Sequence, residues 1–207
     1  MTAVPAPPSR PSRAAQVAVP LTVLLLAVGA RALAQSLPSL EALANVSALP
    51  AIAFAAGYLL RRWWAPMVVI AAMIAVDLWI DPASVAAYWP SIVTAYLLLL
   101  GFGLWGLRLP TATGNGGILG RSAVACGIFY LATNTLSWLT TAAYAKTAGG
   151  WLQAVTVGLP GLRPTWSFGL TMLASTLLVT AAILWLFRRQ QAWLPSPAGL
   201  TAVPVRR

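Results

Sequence analysis

The stretch from Arg121 to Trp151, RSAVACGIFYLATNTLSWLTTAAYAKTAGGW, opens as an apolar run able to cross a bilayer and closes in a polar, aromatic cluster. Near the end of the run Asn134 and Trp138 stand four residues apart, which puts both on one face of a helix. An amide inside hydrocarbon is costly unless it is paired, so this face is the first place to expect a site. Tyr144 and Lys146 follow just beyond the run, at the same membrane face.

The remaining sequence has the same character. A chain of 207 residues that is 59% hydrophobic and 8% charged, with a mean hydropathy of +0.80, cannot expose its apolar surface to water without aggregating. It reads as an all-α integral membrane protein. The length suits one bundle of about six spans of roughly 20 residues each, with no room for a separate soluble domain. A net charge of +10 could suggest nucleic acid, but the cations are scattered singly and in pairs with no basic stripe among aromatics, so none is expected. Cys126 is the one cysteine and lies in an apolar run, which leaves no disulfide framework and no thiolate metal site. Histidine is absent and Glu41, Asp77 and Asp81 are the only acids. Neither a metal, a cofactor nor an enzyme's acid-base set is expected from that inventory.

Residues 1–16, rich in Pro, Ala and Ser, read as a disordered tail. The apolar run that follows resembles a signal peptide with Ala-Leu-Ala at 32–34, but is long for one and reads instead as a first span, Val17 to Ala34. Further spans are expected at Ala48–Leu60, Pro66–Ile80, Pro90–Leu107, Arg121–Leu139 and Thr165–Phe187. The second holds only about 13 apolar residues and is marginal for crossing, so a re-entrant course is also open. Asp81-Pro82 is a helix stop, the TATGNGG stretch at 111–117 a flexible loop, and the segment between the last two spans too broken by Gly and Pro to span. The six-helix domain ends at Arg189, and residues 190–207 form a Pro-rich tail. With six spans, Arg10, Arg13, Arg61, Arg62, Arg108, Arg121, Arg188, Arg189, Arg206 and Arg207 share one side, and Arg31, Lys146 and Arg163 the other. The positive-inside rule then puts both termini in the cytoplasm.

In that orientation Asp77 lies roughly 17 Å into its span from the cytoplasmic end, in the outer half of the bilayer. Asn134 and Trp138 are at similar or greater depth, and Asn45, Tyr144, Lys146 and Arg163 are in outer loops. Such a convergence is expected of an outward-facing pocket. Each member also has a plainer reading: Asp77 as an interfacial carboxylate paired with Arg31 or Lys146, Asn134 as interhelical glue, Trp138, Tyr144 and Trp151 as belt aromatics, and Lys146 and Arg163 as loop charges. Ala51 and Ala55, with Ala71 and Ala75 one span later, give small-residue faces suited to close helix packing, inside the bundle or against a second membrane subunit.

Asn45-Val-Ser-Ala-Leu-Pro-Ala-Ile-Ala-Phe54, Ala75-Val-Asp77-Leu78, and above all Phe129-Tyr-Leu-Ala-Thr-Asn134-Thr-Leu-Ser-Trp138 followed by Tyr144-Ala-Lys-Thr147 and Gly150 resemble an uncharacterised bacterial membrane family assigned to transport. That family is in turn similar to the substrate-binding S components of energy-coupling-factor (ECF) transporters. The resemblance implies a six-helix bundle with cytoplasmic termini in the bacterial inner membrane and a small-molecule pocket near the outer face closed by loops. It also implies docking of small-residue faces on a transmembrane coupling subunit driven by cytoplasmic ATPases. Asn45, Asp77, Asn134, Trp138, Tyr144 and Lys146 would line or lid the pocket, and Ala51, Ala55, Ala71 and Ala75 would meet the partner. Ala145 departs from the proline usual in that family after the tyrosine, and Gly169 from an acidic residue common early in its last span. The expectation of a different class is a structural or assembly subunit whose polar residues only hold its helices together.

Overall fold

A computed structural model describes residues 48–193 and, before them, Ala18, Thr22, Leu26 and Gly29, which are helical and exposed. The expected N-terminal tail, most of the first span, Arg31, Asn45 and the chain beyond Trp193 lie outside the described residues. Within them every regular element is a helix: α1 Leu49–Leu60, α2 Trp64–Ile80, α3 Pro82–Ala87, α4 Trp89–Arg108, α5 Asn115–Thr140, α6 Ala148–Val155 and α7 Thr165–Trp193. Three stretches, Trp89–Arg108, Asn115–Thr140 and Thr165–Arg189, are long and apolar enough to cross a membrane, and α1 and α2 are shorter apolar helices. These apolar helices mark the chain as a membrane protein.

The short helix is the centre of the fold. Alpha-1 touches α2, α4, α5 and α7, while α4 also touches α2 and α5, and α5 touches α7. Residues Ala51 through Ala55 are buried in succession, with Ala51 and Phe54 at 0% exposure. Consecutive burial covers more than a full turn, so this part of the helix is enclosed on all sides. At about 18 Å it falls short of a roughly 30 Å hydrocarbon layer, but an enclosed helix has no lipid to match.

Close approach of α1 to α4 depends on missing side chains. A Cβ at Gly57 would lie 1.8 Å from the Gly103 carbonyl oxygen, and one at Gly106 would lie 2.2 Å from the Phe54 carbonyl oxygen. Around that crossing Ala53, Phe54, Leu99, Phe102, Leu109, Ile118, Ala125 and Leu184 form the core, and the Phe54 and Trp105 rings meet edge to face at 5.6 Å. In lipid, where apolar burial no longer drives helices together, such van der Waals packing carries much of the association.

Arg61 ends α1 in the left-handed region at φ 53° and ψ 32°, a conformation usually left to glycine. Its guanidinium donates to the Leu109 carbonyl oxygen, and Tyr58 Oη donates to the Thr111 and Thr113 carbonyls at 3.3 Å each. Arg188 donates to Asn115 Oδ1 at 2.7 Å. These bonds gather the ends of α1, α4 and α7 and the start of α5 at one pole, with Arg61, Arg62, Arg108, Arg121, Arg188 and Arg189; Lys146 and Arg163 belong to the opposite, distal pole.

Several boundaries differ from expectation. Alpha-5 begins at Asn115, six residues before the expected start, and so absorbs the last three residues of the glycine-rich loop. Glycines in a first turn cost little order there, because backbone N–H groups at a helix start have no intrahelical partner to lose. The helix stop at Asp81 holds for α2, but Pro82 opens a further short helix, α3, since proline is pre-organised for a first helical turn. Alpha-7 runs to Trp193 rather than ending by Arg189, through Gln and Ala residues that favour helix.

Candidate functional site

At the distal pole the chain from Thr141 to Pro164 folds back over the ends of α5 and α7. Its ties begin at the C-terminus of α5, where the last carbonyls have no intrahelical donor. Lys146 Nζ donates to two of them, Trp138 O and Thr141 O at 2.7 Å. A cation there is also favoured by the helix dipole. In return Trp138 Nε1 donates to the Ala145 carbonyl at 2.8 Å. Tyr144, between the two bonded residues, is buried.

Helix α6 is seated by the same means. Thr147 Oγ1 accepts from Gly150 N at 3.2 Å as its N-cap, and Trp151 Nε1 donates to Thr135 Oγ1 at 2.9 Å. Tyr130 Oη donates to the Val155 carbonyl at 2.7 Å. A Cβ at Gly150 would come within 2.0 Å of the Ala145 carbonyl oxygen, so glycine alone allows this return. Beyond α6, Gly158 adopts φ +75° and its carbonyl accepts from Gln153 Nε2 at 3.0 Å. Trp166 N then donates to Thr156 O at 2.8 Å where α7 begins.

Tyr130, Asn134 and Trp138 form one i, i+4 stripe on α5 beneath this cap. Asn134 Nδ2 donates to the Tyr130 carbonyl at 2.8 Å, one turn back on its own helix. Gly169 of α7 packs on the Tyr130 ring, where a Cβ would meet Cε2 at 2.9 Å; a larger residue at that place has no room. Tyr130 was not among the expected site residues, although its spacing from Asn134 and Trp138 was readable.

Asp77 is elsewhere. Its Oδ2 accepts from Tyr96 Oη across the α2–α4 contact, three residues before the end of α2. Helix α2 has no contact with α5, α6 or α7, and α6 touches only α5 and α7 among the described helices. Asn134, Trp138, Tyr144 and Lys146 therefore come together under and within the cap, while Asp77 stands apart with Tyr96 and is not the partner of Lys146. Of the alanines, Ala51 and Ala55 are buried inside the bundle and only Ala71 and Ala75 are exposed.

A second polar feature lies deeper. Ser122 on α5 and Thr176 and Thr180 on α7 are 0% exposed, and the hydroxyl oxygens of Ser122 and Thr180 have no hydrogen-bond partner among the described residues. Thr133, Thr140 and Thr171 instead donate to carbonyls four residues back. The Cys126 thiol lies beside Thr176, and the antiparallel register of α5 and α7 that follows from that pair and from Asn115–Arg188 sets Ser122 level with Thr180. The spacings Ser122–Cys126 and Thr176–Thr180 carried this seam in the sequence. No three His, Cys, Asp or Glu side chains among the described residues are grouped to hold a metal ion.

Neither a curated protein nor a solved structure matches the chain. A family described as a family of unknown function (DUF6580) matches residues 12–196, and the chain belongs to that family.

Proposed function

We propose that this protein is a solute-capturing membrane subunit resembling the S components of ECF transporters: a six-span bundle with cytoplasmic termini in a bacterial inner membrane. It takes a small molecule from the external side and passes it inward, unchanged, through a transmembrane coupling subunit driven by cytoplasmic ATPases. The observation that carries this reading is the carboxylate of Asp77, held by Tyr96 in the distal half of an apolar helix. An acid at that depth is expensive and by default marks a site. The cap over α5 and α7 supports a lid, and the cluster of arginines at the opposite pole supports the orientation.

On this reading Asp77 and Tyr96 hold a cationic or hydrogen-donating group of the solute. Apart from that pair, Asn134 supplies an amide beneath the cap, and Trp138 and Tyr144 supply aromatic surface there. Lys146 is engaged with helix carbonyls and acts as a strut. Ala71 and Ala75 are the small-residue face left for a coupling subunit. The likeness to S components is one of sequence pattern alone, so the function rests on the site.

The test is ligand-dependent thermal stabilisation of the purified protein, screened against vitamins, nucleobases, amino acids and metal ions. A true ligand at a hundred times its Kd stabilises by about 2.7 kcal/mol. Asp77→Asn is expected to abolish that shift while keeping the helical circular dichroism of the wild type. A panel with no stabilising class, or an Asp77→Asn variant that responds as the wild type does, refutes the reading.

One observation favours the structural or assembly subunit instead. The polar groups of Trp138 and Lys146, and one donor of Asn134, are satisfied by carbonyls of α5 and of the cap, as expected of residues that only hold segments together. Asn134→Leu separates the two. Loss of binding with a normal fold supports capture, and misfolding alone supports the structural role.

A further inference from the structure

The arginines at the basic pole fall into two sets. Arg61, Arg121, Arg188 and Arg189 are used by the fold: the first three donate to Leu109 O, to Gly117 O at 3.2 Å and to Asn115 Oδ1 at 2.7 Å, and the Arg189 guanidinium lies 5.1 Å from the Trp185 ring centroid. Arg62 and Arg108 are exposed, and no hydrogen bond to another described residue engages either side chain. The Arg61–Leu109 bond joins their chain neighbours, so the two stand level at adjacent helix ends. Packing of Pro66 on Gly103 and the Asp77–Tyr96 bond fix the antiparallel register of α2 and α4 that keeps them so.

Two cations on level, adjacent helix ends repel each other, and an anion between them relieves that repulsion. The described carboxylates, Asp77 and Asp81, are at the far end of α2, at least roughly 22 Å away along the helix and well beyond a Debye length of about 8 Å. Beside the pair, Trp63 is 66% and Trp64 45% exposed, and Met67 and Val68 continue an exposed apolar track along α2 toward the membrane interior. Indoles favour the headgroup level and apolar side chains the acyl chains below it.

From this arrangement we propose that Arg62 and Arg108, with Trp63 and Trp64, form a binding site for the phosphodiester headgroup of an anionic phospholipid. The phosphate accepts from both guanidinium groups in the forked geometry arginine offers, and an acyl chain lies along Met67 and Val68. A free phosphate makes no use of that apolar track. A zwitterionic lipid brings its own cation to a site that already holds two. The site is independent of the transported solute.

The experiment titrates the purified full-length chain in neutral detergent with phosphatidylglycerol, phosphatidylcholine or inorganic phosphate, following thermal stability. Phosphatidylglycerol is expected to raise the melting temperature, and the other two to leave it unchanged. The double variant Arg62→Gln/Arg108→Gln is expected to melt as the wild type does without lipid and to bind phosphatidylglycerol about thirtyfold more weakly, from roughly 1 kcal/mol per interfacial cation. Arg163→Gln, at the opposite pole, is expected to bind as the wild type does. Equal stabilisation by phosphatidylcholine or by phosphate overturns the proposal, as does an undiminished response in the double variant. If the double variant does not fold, the wild type decides: its affinity for phosphatidylglycerol must fall with added sodium chloride, and a flat salt dependence is an equally negative result.

Discussion

Replacing Gly57 by alanine adds one methyl group at the place where the two most closely packed helices cross. The new Cβ would lie 1.8 Å from the Gly103 carbonyl oxygen, 2.8 Å from its carbonyl carbon and 3.1 Å from the Leu107 nitrogen. All three are backbone atoms inside α4, so no side chain can swing aside, and the helices must separate by about 1.5 Å to restore ordinary contact distances. A gap of that size forfeits at least half of the dispersion energy of the atoms lining it. With on the order of 20 affected pairs at about 0.1–0.2 kcal/mol each, the lost contact is about 1–2 kcal/mol. Strain in the repacked core around Phe54 and Phe102 adds about 1–3 kcal/mol, and the better helix propensity of alanine returns about 1 kcal/mol. The net expectation is a destabilisation of about 1–4 kcal/mol. Gly101, on α4 but with nothing within 4 Å of its Cβ position, is the control: Gly101→Ala is expected to stabilise by about 0.5–1 kcal/mol. Equilibrium unfolding in detergent micelles, followed by far-UV circular dichroism, compares the two. If Gly57→Ala falls within about 0.5 kcal/mol of Gly101→Ala, the helices do not meet backbone to backbone and the account of α1 fails.

Two further substitutions probe the polar groups. Thr180→Val keeps the shape of a fully buried side chain while deleting a hydroxyl that has no partner among the described residues, so it is expected to be neutral or to stabilise by about 1 kcal/mol in the same unfolding assay; a clear loss shows instead that the hydroxyl is engaged. Lys146→Met removes the donor to the Trp138 and Thr141 carbonyls, and is expected to cost about 1 kcal/mol locally. Hydrogen exchange checks it: amides of the cap at 142–151 should exchange about fivefold faster while α1 and α4 are unaffected, and unchanged protection there refutes the strut role.

The apolar helices among the described residues were legible because the signals that set them are local. Alpha-4, expected over Pro90–Leu107, is observed at Trp89–Arg108, and α2 stops at the Asp81-Pro82 signal. The i, i+4 relation of Asn134 and Trp138 also held, since it needs only a helix. The meeting of Asp77 with Lys146 depended instead on which helices become neighbours and how each is rotated. Here the structure differs, for Lys146 lies within reach of free carbonyls at the end of its preceding helix, and those satisfy it first.

The chain's amino acids alone therefore determine that it is a helical membrane protein, where its long apolar helices run, and how its cations are distributed. Hydropathy, proline and charge act residue by residue and need no partner. Only the tertiary structure decides that α1, too short to cross a bilayer, is the enclosed centre, that Ala51 and Ala55 face inward, that Asp77 meets Tyr96, and that Ser122, Thr176 and Thr180 share a buried seam. Each of these depends on the distance between backbones that are far apart in sequence, and at Gly57 and Gly103 that distance is set by the absence of a single carbon atom.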